Sequence, residues 1–499
     1  MQTVLSENLS SKPMEQIKTI DKLLLIFLAL AIVLPAYILV LYLLFDGFYW
    51  KAFALYCCTA ILVILGVIKI VSEKIKIRKE HIYSILPVVV YLLAVIISTL
   101  LSPYSAKAIW GQWLFHEGAI TLVCYGIIFI AARFLINSYS RLKFILASIC
   151  IWTIIIIIDS IARYDIHSKI TFYLMMFYIL IAVIFKYLIP QNSKFGRVSK
   201  YIWITALVLF IDAGIRAWLT TPDIKFPIYE GGTFGHRNYL ASFFTLIFLP
   251  AVAGYFYSIK KKTNIIFYLL SCIFFCVLIL NHTRSSWVGN GIGFMLFIVL
   301  GKGKISFKKL AILFFSFIII IGVVNFSNGN LISTRFNTMV NDVKLLADKG
   351  SDKTYVGTTR YRIWELSIPL IPKHLLFGIG PDMFERIFPQ QEYRDSVAPQ
   401  YRGTAANAHN EYLNMILNLG IIGLLAYFWI ILSIFKKYFR FYKNFGIENI
   451  NRYILLGVFC GWCAYLIQAF FNNSVVSTSP TLWAMMGILS AVPFGEEIS

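Results

Sequence analysis

Charged residues are scarce in this sequence. Asp, Glu, Lys and Arg make up 14% of its 499 residues and hydrophobic residues 59%, and the mean hydropathy is +0.75. A soluble globular protein carries about 25% charged residues to solvate its surface, so the composition excludes that class. A bilayer core about 30 Å thick needs about 20 apolar residues per helix. The sequence therefore predicts an all-α polytopic membrane protein.

Several motifs of known chemistry are also missing. There is no P-loop, no HExxH and no Asp-x-Asp pair among the outward-facing acidic residues, which disfavours reactions that need ATP, a metal ion or a nucleotide sugar. All eight cysteines fall inside predicted helices, so no disulfide framework is expected. Cys460 and Cys463 have CxxC spacing but no His or Cys partner nearby, and we interpret them as small buried hydrophobic side chains. We predict neither a metal nor a cofactor.

Apolar runs of helix length recur along the chain. We count about fourteen, and because three of them are short, the sequence predicts 12–14 transmembrane helices. About twenty mainly polar residues precede the first run and no small-residue cleavage site follows it, so the first helix is expected to be an uncleaved anchor. The predicted spans are 22–45, 52–71, 82–101, 118–136, 142–161, 168–188, 201–219, 239–258, 264–281, 287–300, 309–325, 411–435, 453–471 and 480–494.

The formal net charge of +21 is concentrated in alternate loops. This is the positive-inside pattern of membrane proteins and argues against a nucleic-acid partner. It predicts a multi-pass membrane protein with cytoplasmic N- and C-termini. The basic loops are 72–81, 133–143, 191–200, 260–262, 301–309 and 436–452.

One loop is much longer than an ordinary connection. It is extracytoplasmic by the charge pattern, and its sequence predicts short helices at 333–350, at 358–371 and near 377–388, followed by irregular backbone at 389–408. The predicted organisation is a cytoplasmic segment 1–21, helices 1–11 within 22–325, the extracytoplasmic loop 326–410, and C-terminal transmembrane helices within 411–494.

Three basic residues stand at predicted helix ends on the outer face. Arg237 and Arg284 are candidate clamps for a pyrophosphate, because guanidinium groups bind phosphate oxygens in pairs and the adjoining helix N-termini add donors. His409 is the candidate base, because an imidazole titrates near neutral pH. The competing interpretation is structural: an interfacial arginine reaching lipid headgroups, or a histidine that caps a helix.

Four segments around these residues resemble the O-antigen ligase and polymerase superfamily. "GTFGHRNYLASF" (232–243) is similar to its Gly-x-Phe-Gly-Asn-x-Asn-x-x-Ala element, with His236 where Asn is commoner. "TRSSWVG" (283–289) resembles its Thr-x-Ser-Arg segment, although Arg284 here precedes the two serines. "RYRIWELSIPLIPKHLLFGIGPDMF" (360–384) and "AHNEYLNMILNLGIIGLL" (408–425) resemble the Arg-x-x-x-Trp and His-Asn-x-x-Leu elements of its large periplasmic loop. The resemblance covers residues 230–435.

The resemblance implies a glycosyltransferase that needs neither metal nor ATP. The donor would be a glycan on undecaprenyl pyrophosphate in the lipid bilayer, used at the outer face of the bacterial cytoplasmic (inner) membrane with inversion of the anomeric configuration. It implies that His409 activates the acceptor hydroxyl and that Arg237 and Arg284 engage the pyrophosphate. Secondary candidates are Arg360, Arg362, Glu117, Tyr412, His236 and Asn238.

The motifs leave the acceptor open. A ligase would transfer the glycan to lipid A core, a polymerase to another lipid-linked glycan, and an oligosaccharyltransferase to a protein hydroxyl. A flippase or secondary transporter is the alternative from another class, but a transporter is expected to show internal repeats and charged or broken helices near the membrane midplane. The notable residues instead cluster at one face beside the large loop, which favours an enzyme.

Overall fold

A computed structural model describes residues 19–37, 47–75, 78–162, 234–258, 260–301, 305–327, 329–348, 350–445 and 450–491. The described residues form helices and connecting turns without a strand. Two of the fourteen predicted spans, 168–188 and 201–219, lie outside the described residues, as does most of the segment 1–21. The other twelve predicted spans each coincide with a helix. The all-α polytopic architecture predicted from composition is confirmed.

Nine helices in the described part of the chain are long and apolar enough to cross a membrane, and the helices Ala119–Leu135 and Arg284–Leu300 are shorter and apolar. Up to the long loop, the described residues form α1 (Thr19–Tyr37), α2 (Gly47–Ser72), α3 (Lys79–Leu101), the short α4 (Ser105–Trp110), α5 (Ala119–Leu135), α6 (Tyr139–Ala162), α7 (Arg237–Tyr257), α8 (Lys261–Leu280), α9 (Arg284–Leu300) and α10 (Phe307–Ser327). The chain ends its described part with α15 (Glu411–Phe445), α16 (Ile450–Gln468) and α17 (Ser479–Ala491).

Helix α7 lies at the centre of the bundle. The 18 most apolar consecutive residues of α7 are all buried, whereas only 17% of the corresponding residues of α10 are buried. Glycines of α16 permit the contact with α7: a Cβ on Gly461 would lie 2.5 Å from the carbonyl oxygen of Leu246, and one on Gly457 would lie 2.7 Å from Cβ of Ala253. Small residues allow this close approach because helix association in lipid depends on packing. These contacts fix the middle of α7 against α16.

The long loop folds over the ends of these helices. Its hydrophobic residues form a small core of their own, to which Ile363, Phe384, Tyr393 and Val397 contribute. The loop contains α11 (Leu331–Ala347), α12 (Arg360–Ser367), a 3-10 helix (Ile368–His374), α13 (Phe384–Ile387), α14 (Gln390–Ser396) and a second 3-10 turn (Pro399–Tyr401).

The prediction of irregular backbone at 389–408 was wrong for two segments. Residues 390–396 form α14, and residues 399–401 form a 3-10 turn. Buried Tyr393 and Val397 explain the difference, because each packs into the core of the loop. Two apolar positions within a largely polar stretch give too weak a periodicity to predict this from sequence.

The loop is tied into helix α15 at Gly420. This residue interrupts the helix with φ 72° and ψ −177°. The carbonyls of Leu417 and Asn418 accept hydrogen bonds from the loop amides of Ile379 and Gly380, both at 2.9 Å. The loop therefore takes over carbonyls that the helix would otherwise use, and its position is fixed relative to the first turn of α15.

Candidate functional site

A cavity of about 240 Å³ lies between the long loop and the helix ends. Four helices begin at this cavity: α7 at Arg237, α9 at Arg284, α12 at Arg360, and α15 directly after His409 and Asn410. The positive end of each helix dipole favours anions, so four convergent N-termini suit this cavity to a negatively charged group.

The lining of the cavity is strongly basic. Four arginines and three histidines face it, together with threonine and tyrosine hydroxyl groups. No Asp or Glu is among the described residues that line it. The basic residues are Arg237, Arg284, Arg335, Arg360, His236, His282 and His409.

Arg360 carries a charge that the protein does not neutralise by contact. Within the described part of the chain, its side chain forms no ion pair and no hydrogen bond. Burial, together with the nearby charges of Arg284 and Arg237, lowers the pKa of Arg360 to about 10. The guanidinium still remains protonated at neutral pH, and an anion in the cavity would stabilise it.

Arg284 is held by the loop. Its Nη1 lies 2.5 Å from Oδ2 of Asp342, on α11. The same carboxylate oxygen accepts the backbone N–H of Gly357 at 3.3 Å. Asp342 thus orients Arg284 and joins α11 to the turn that precedes Arg360.

Sequence reasoning missed Arg335, although a signal was present. Arg335, Thr338 and Asp342 occupy positions i, i+3 and i+7 of α11 and so share one face. Thr338 and Asp342 both accept hydrogen bonds from the Arg284 side chain. These contacts turn this face of α11 toward the cavity, so that Arg335 lines the cavity as well.

The turn before α12 is conformationally strained. Gly357, Thr358 and Thr359 have φ values of 64°, 62° and 70°, and a left-handed conformation at a β-branched residue costs on the order of 1–3 kcal/mol. Thr359 is held by a 2.9 Å hydrogen bond between its hydroxyl and that of Tyr393. Such strain persists only where the surroundings enforce it, and here it sets the N-terminus of α12 against the cavity.

His409 is positioned by its neighbours on both sides. Its backbone adopts φ 47°, and its N–H donates to Oδ1 of Asn407 at 2.9 Å. The indole of Trp364 donates to the carbonyl of Ala408 at 2.9 Å. Trp364 therefore holds the backbone next to His409, and this contact joins the Arg-x-x-x-Trp segment to the His-Asn segment.

The histidines of the cavity are neutral. Burial lowers the pKa of His409 to about 3, and the charges of Arg360 and His236 act in the same direction. Burial likewise lowers the pKa of both His236 and His282 to about 4. At pH 7 the positive charge of the cavity therefore resides on its arginines, and the imidazole of His409 is available to accept a proton.

Asn238 and His236 shape the start of α7. The Nδ1 atom of His236 accepts the backbone N–H of Asn238 at 3.1 Å, which caps the helix. The side-chain oxygen of Asn238 accepts from the hydroxyl of Thr283 at 3.3 Å, which links α7 to the start of α9.

The structure separates the nine candidates into two groups. Six of them line the cavity: His409, Arg237, Arg284, Arg360, His236 and Asn238. Arg362 instead pairs with glutamates on the loop surface, and Tyr412 donates to the carbonyl of Leu466. Glu117 lines a different, smaller cavity.

Comparison with known proteins agrees with the motifs. The sequence model of the O-antigen ligase family matches residues 269–428, which include Arg284, Arg335, Arg360 and His409. A stretch of 174 residues is 26% identical to an uncharacterized protein of Haemophilus influenzae. That alignment covers 34% of this chain and 42% of the other protein, so the chain spans less than half the length of the relative it matches. The matched region is similar to the O-antigen ligase family and carries most of the residues that line the cavity.

Proposed function

We propose that the protein transfers a glycan from undecaprenyl pyrophosphate to an acceptor hydroxyl, as an O-antigen ligase-like enzyme. The observation that carries this proposal is the cavity at which four helices begin, with four arginines and a neutral His409 on its wall. The family match supports a membrane glycan transferase.

The arginines suit the diphosphate of the donor. Charge-assisted hydrogen bonds from guanidinium groups are about twice as strong as neutral ones and match phosphate oxygens in geometry. Arg360 has no competing acid in contact, whereas Arg284 is shared with Asp342. Arg237, Arg335 and Arg360 would stabilise the charge that develops on the leaving diphosphate.

The reaction is a substitution at the anomeric carbon. The acceptor oxygen attacks this carbon while its bond to the diphosphate oxygen breaks, and the electron pair of that bond leaves with undecaprenyl pyrophosphate. The acceptor proton passes to the imidazole of His409 and then to water or the released diphosphate. Attack opposite the leaving group inverts the anomeric configuration.

Binding of the donor would also raise the pKa of His409. Before it binds, the pKa of His409 is low because of burial and the charge of Arg360. A diphosphate offsets that positive charge, so its arrival raises the pKa of His409 toward neutral, where general-base catalysis is most effective. His409 would therefore act only when the donor is in place.

We place the reaction at the outer face of the cytoplasmic membrane. Lys- and Arg-rich loops alternate along the chain, and this pattern predicts that the long loop and the helix ends around Arg237 lie outside. Lipid-linked donors are held in the bilayer and the cavity lies at the ends of membrane helices, so the carrier would remain in the membrane during transfer.

The test is transfer by the purified protein in lipid nanodiscs. The donor is undecaprenyl pyrophosphate that carries a labelled oligosaccharide, and the buffer contains a chelator and no ATP. We expect a labelled product and free undecaprenyl pyrophosphate, and we expect His409→Ala to lower kcat by about 10² to 10⁴. His374→Ala is the matched control, since His374 lies in the same loop but outside the cavity. Equal rates for both variants would contradict the assignment of the base.

A further inference from the structure

Helix α11 bridges the ends of two membrane helices. At its start, the side chain of Asn325 in α10 accepts the backbone N–H of Ser333 at 3.1 Å and donates to Oδ1 of Asn330 at 3.2 Å. Further along, Asp342 pairs with Arg284, the first residue of α9. Between Ser333 and Asp342 the helix rises about 14 Å. Since α9 and α10 follow each other in the chain, the start of α9 and the end of α10 lie on the same side of the membrane, and α11 runs along its surface.

The turn between α10 and α11 is a Schellman motif. Gly329 and Asn330 have φ values of 60° and 61°, and the N–H of Asn330 donates to the carbonyl of Asn325 at 2.9 Å. This arrangement ends a helix and redirects the chain. Helix α11 therefore begins directly at the end of α10, at the level of the membrane surface.

An apolar stripe runs along α11 beside the face that lines the basic cavity. It consists of Phe336, Val340 and Val343, at positions i, i+4 and i+7. These side chains are 52%, 37% and 62% exposed. A contiguous exposed apolar surface marks a site of interaction with a partner or a membrane.

The remaining side of α11 is polar. Its side chains are all exposed, those of Asn337, Asn341 and Lys344. The helical period separates the cavity face, the apolar stripe and this polar side, so that each covers about a third of the circumference. A helix with one apolar and one polar side suits a membrane surface, where the apolar side enters the boundary between headgroups and acyl chains.

We propose that the apolar stripe of α11 is embedded in the lipid of the membrane surface, so that this helix separates the bilayer from the basic cavity. Continuity with α10 favours lipid over a protein partner. Only 17% of the most apolar part of α10 is buried, and Phe326 in its last turn is 88% exposed. The stripe therefore extends a surface that already faces lipid. This holds whatever reaction the protein catalyses.

Thiol accessibility tests the proposal in the nanodisc-bound full chain. Val343→Cys and Asn341→Cys place a thiol on the apolar stripe and on the polar side, and the protein itself leaves both positions exposed. We expect a charged maleimide to label Asn341→Cys at least about tenfold faster, because the reactive thiolate forms poorly in lipid. The parent protein, with its native cysteines, supplies the background. Equal labelling rates for the two variants overturn the proposal.

Photo-crosslinking identifies what covers the stripe. The photoreactive residue p-benzoylphenylalanine replaces Phe336 in one variant and Asn341 in the control, and irradiated nanodiscs are analysed by mass spectrometry. We expect a phospholipid adduct at position 336 and none above background at position 341. An adduct to a second copy of the chain, or the absence of a lipid adduct at position 336, overturns the proposal. Neither measurement uses glycan transfer, so an inactive protein would refute the proposed function and leave this test intact.

Discussion

Two arginines in one turn of α12 offer a sharp test of the anion site. Arg360 lines the basic cavity, whereas Arg362 points to the loop surface and pairs with Glu365 at 2.7 Å and Glu392 at 3.3 Å. Sequence alone makes the two residues equivalent candidates. The structure gives them different partners, so the pair Arg360→Gln and Arg362→Gln separates phosphate binding from a general effect on the loop.

The expected magnitude follows from the contacts. A hydrogen bond to a charged group contributes about 1.5–3 kcal/mol, so Arg360→Gln is expected to raise the donor KM by about 10- to 150-fold. The partners of Arg362 are 53% and 61% exposed, and such ion pairs contribute about 0–1 kcal/mol. Arg362→Gln is therefore expected to change the donor KM by less than about fivefold.

The assay is a donor titration at saturating acceptor, with thermal unfolding of each variant as a check on folding. A second readout is the acid limb of kcat/KM. Because the charge of Arg360 helps to lower the pKa of His409, Arg360→Gln should raise that pKa and move the acid limb to higher pH, whereas Arg362→Gln should leave it in place. Equal changes in donor KM for the two variants would refute the phosphate assignment.

Three further predictions follow from the geometry. Gly378→Ala would place Cβ 2.3 Å from the backbone of α15, so it should lower the unfolding temperature by several degrees. Gly403 has open space around it, so Gly403→Ala should leave the unfolding temperature unchanged. Equal melting curves for the two variants would contradict the close packing at Gly378. Trp364→Phe removes the donor to the carbonyl before His409, and kinetics should show a lower kcat with the donor KM nearly unchanged. Because the pKa of His409 is lowered to about 3, the acid limb of kcat/KM should lie well below pH 6.5, and a limb at pH 6.5 would contradict this.

Sequence patterns predicted the membrane helices well because their signal is local. A run of about 20 apolar residues has few alternatives to a transmembrane helix, and the bounds of α3 and α8 lie within three residues of the predicted ones. The positions of Arg237, Arg284 and His409 at helix starts were also visible, since each follows or precedes a clear apolar run. Sequence alone could not predict that these three residues meet at one cavity, because they are far apart in the chain.

Other features were beyond sequence reasoning for a physical reason. Glu117 was a secondary candidate for the same site as the arginines, but it lines the smaller cavity of about 70 Å³ together with Asp382 and Glu411. These three acids come from separate segments and share no spacing, so only tertiary contacts bring them together. Arg335 lies in an amphipathic helix whose orientation depends on the pairing of Asp342 with Arg284, a contact between segments that periodicity does not report.

The interruption of α15 at Gly420 bears on how this protein can be altered by recombination. The loop amides at Ile379 and Gly380 use helix carbonyls, and the hydroxyl of Ser98 in α3 donates to the carbonyl of Asn418 at 2.8 Å. Loop and helix are therefore one structural unit rather than a lid attached to a scaffold. A chimera that exchanges the loop must carry the first turns of α15 with it, because a junction at residue 410 would separate hydrogen-bonded partners.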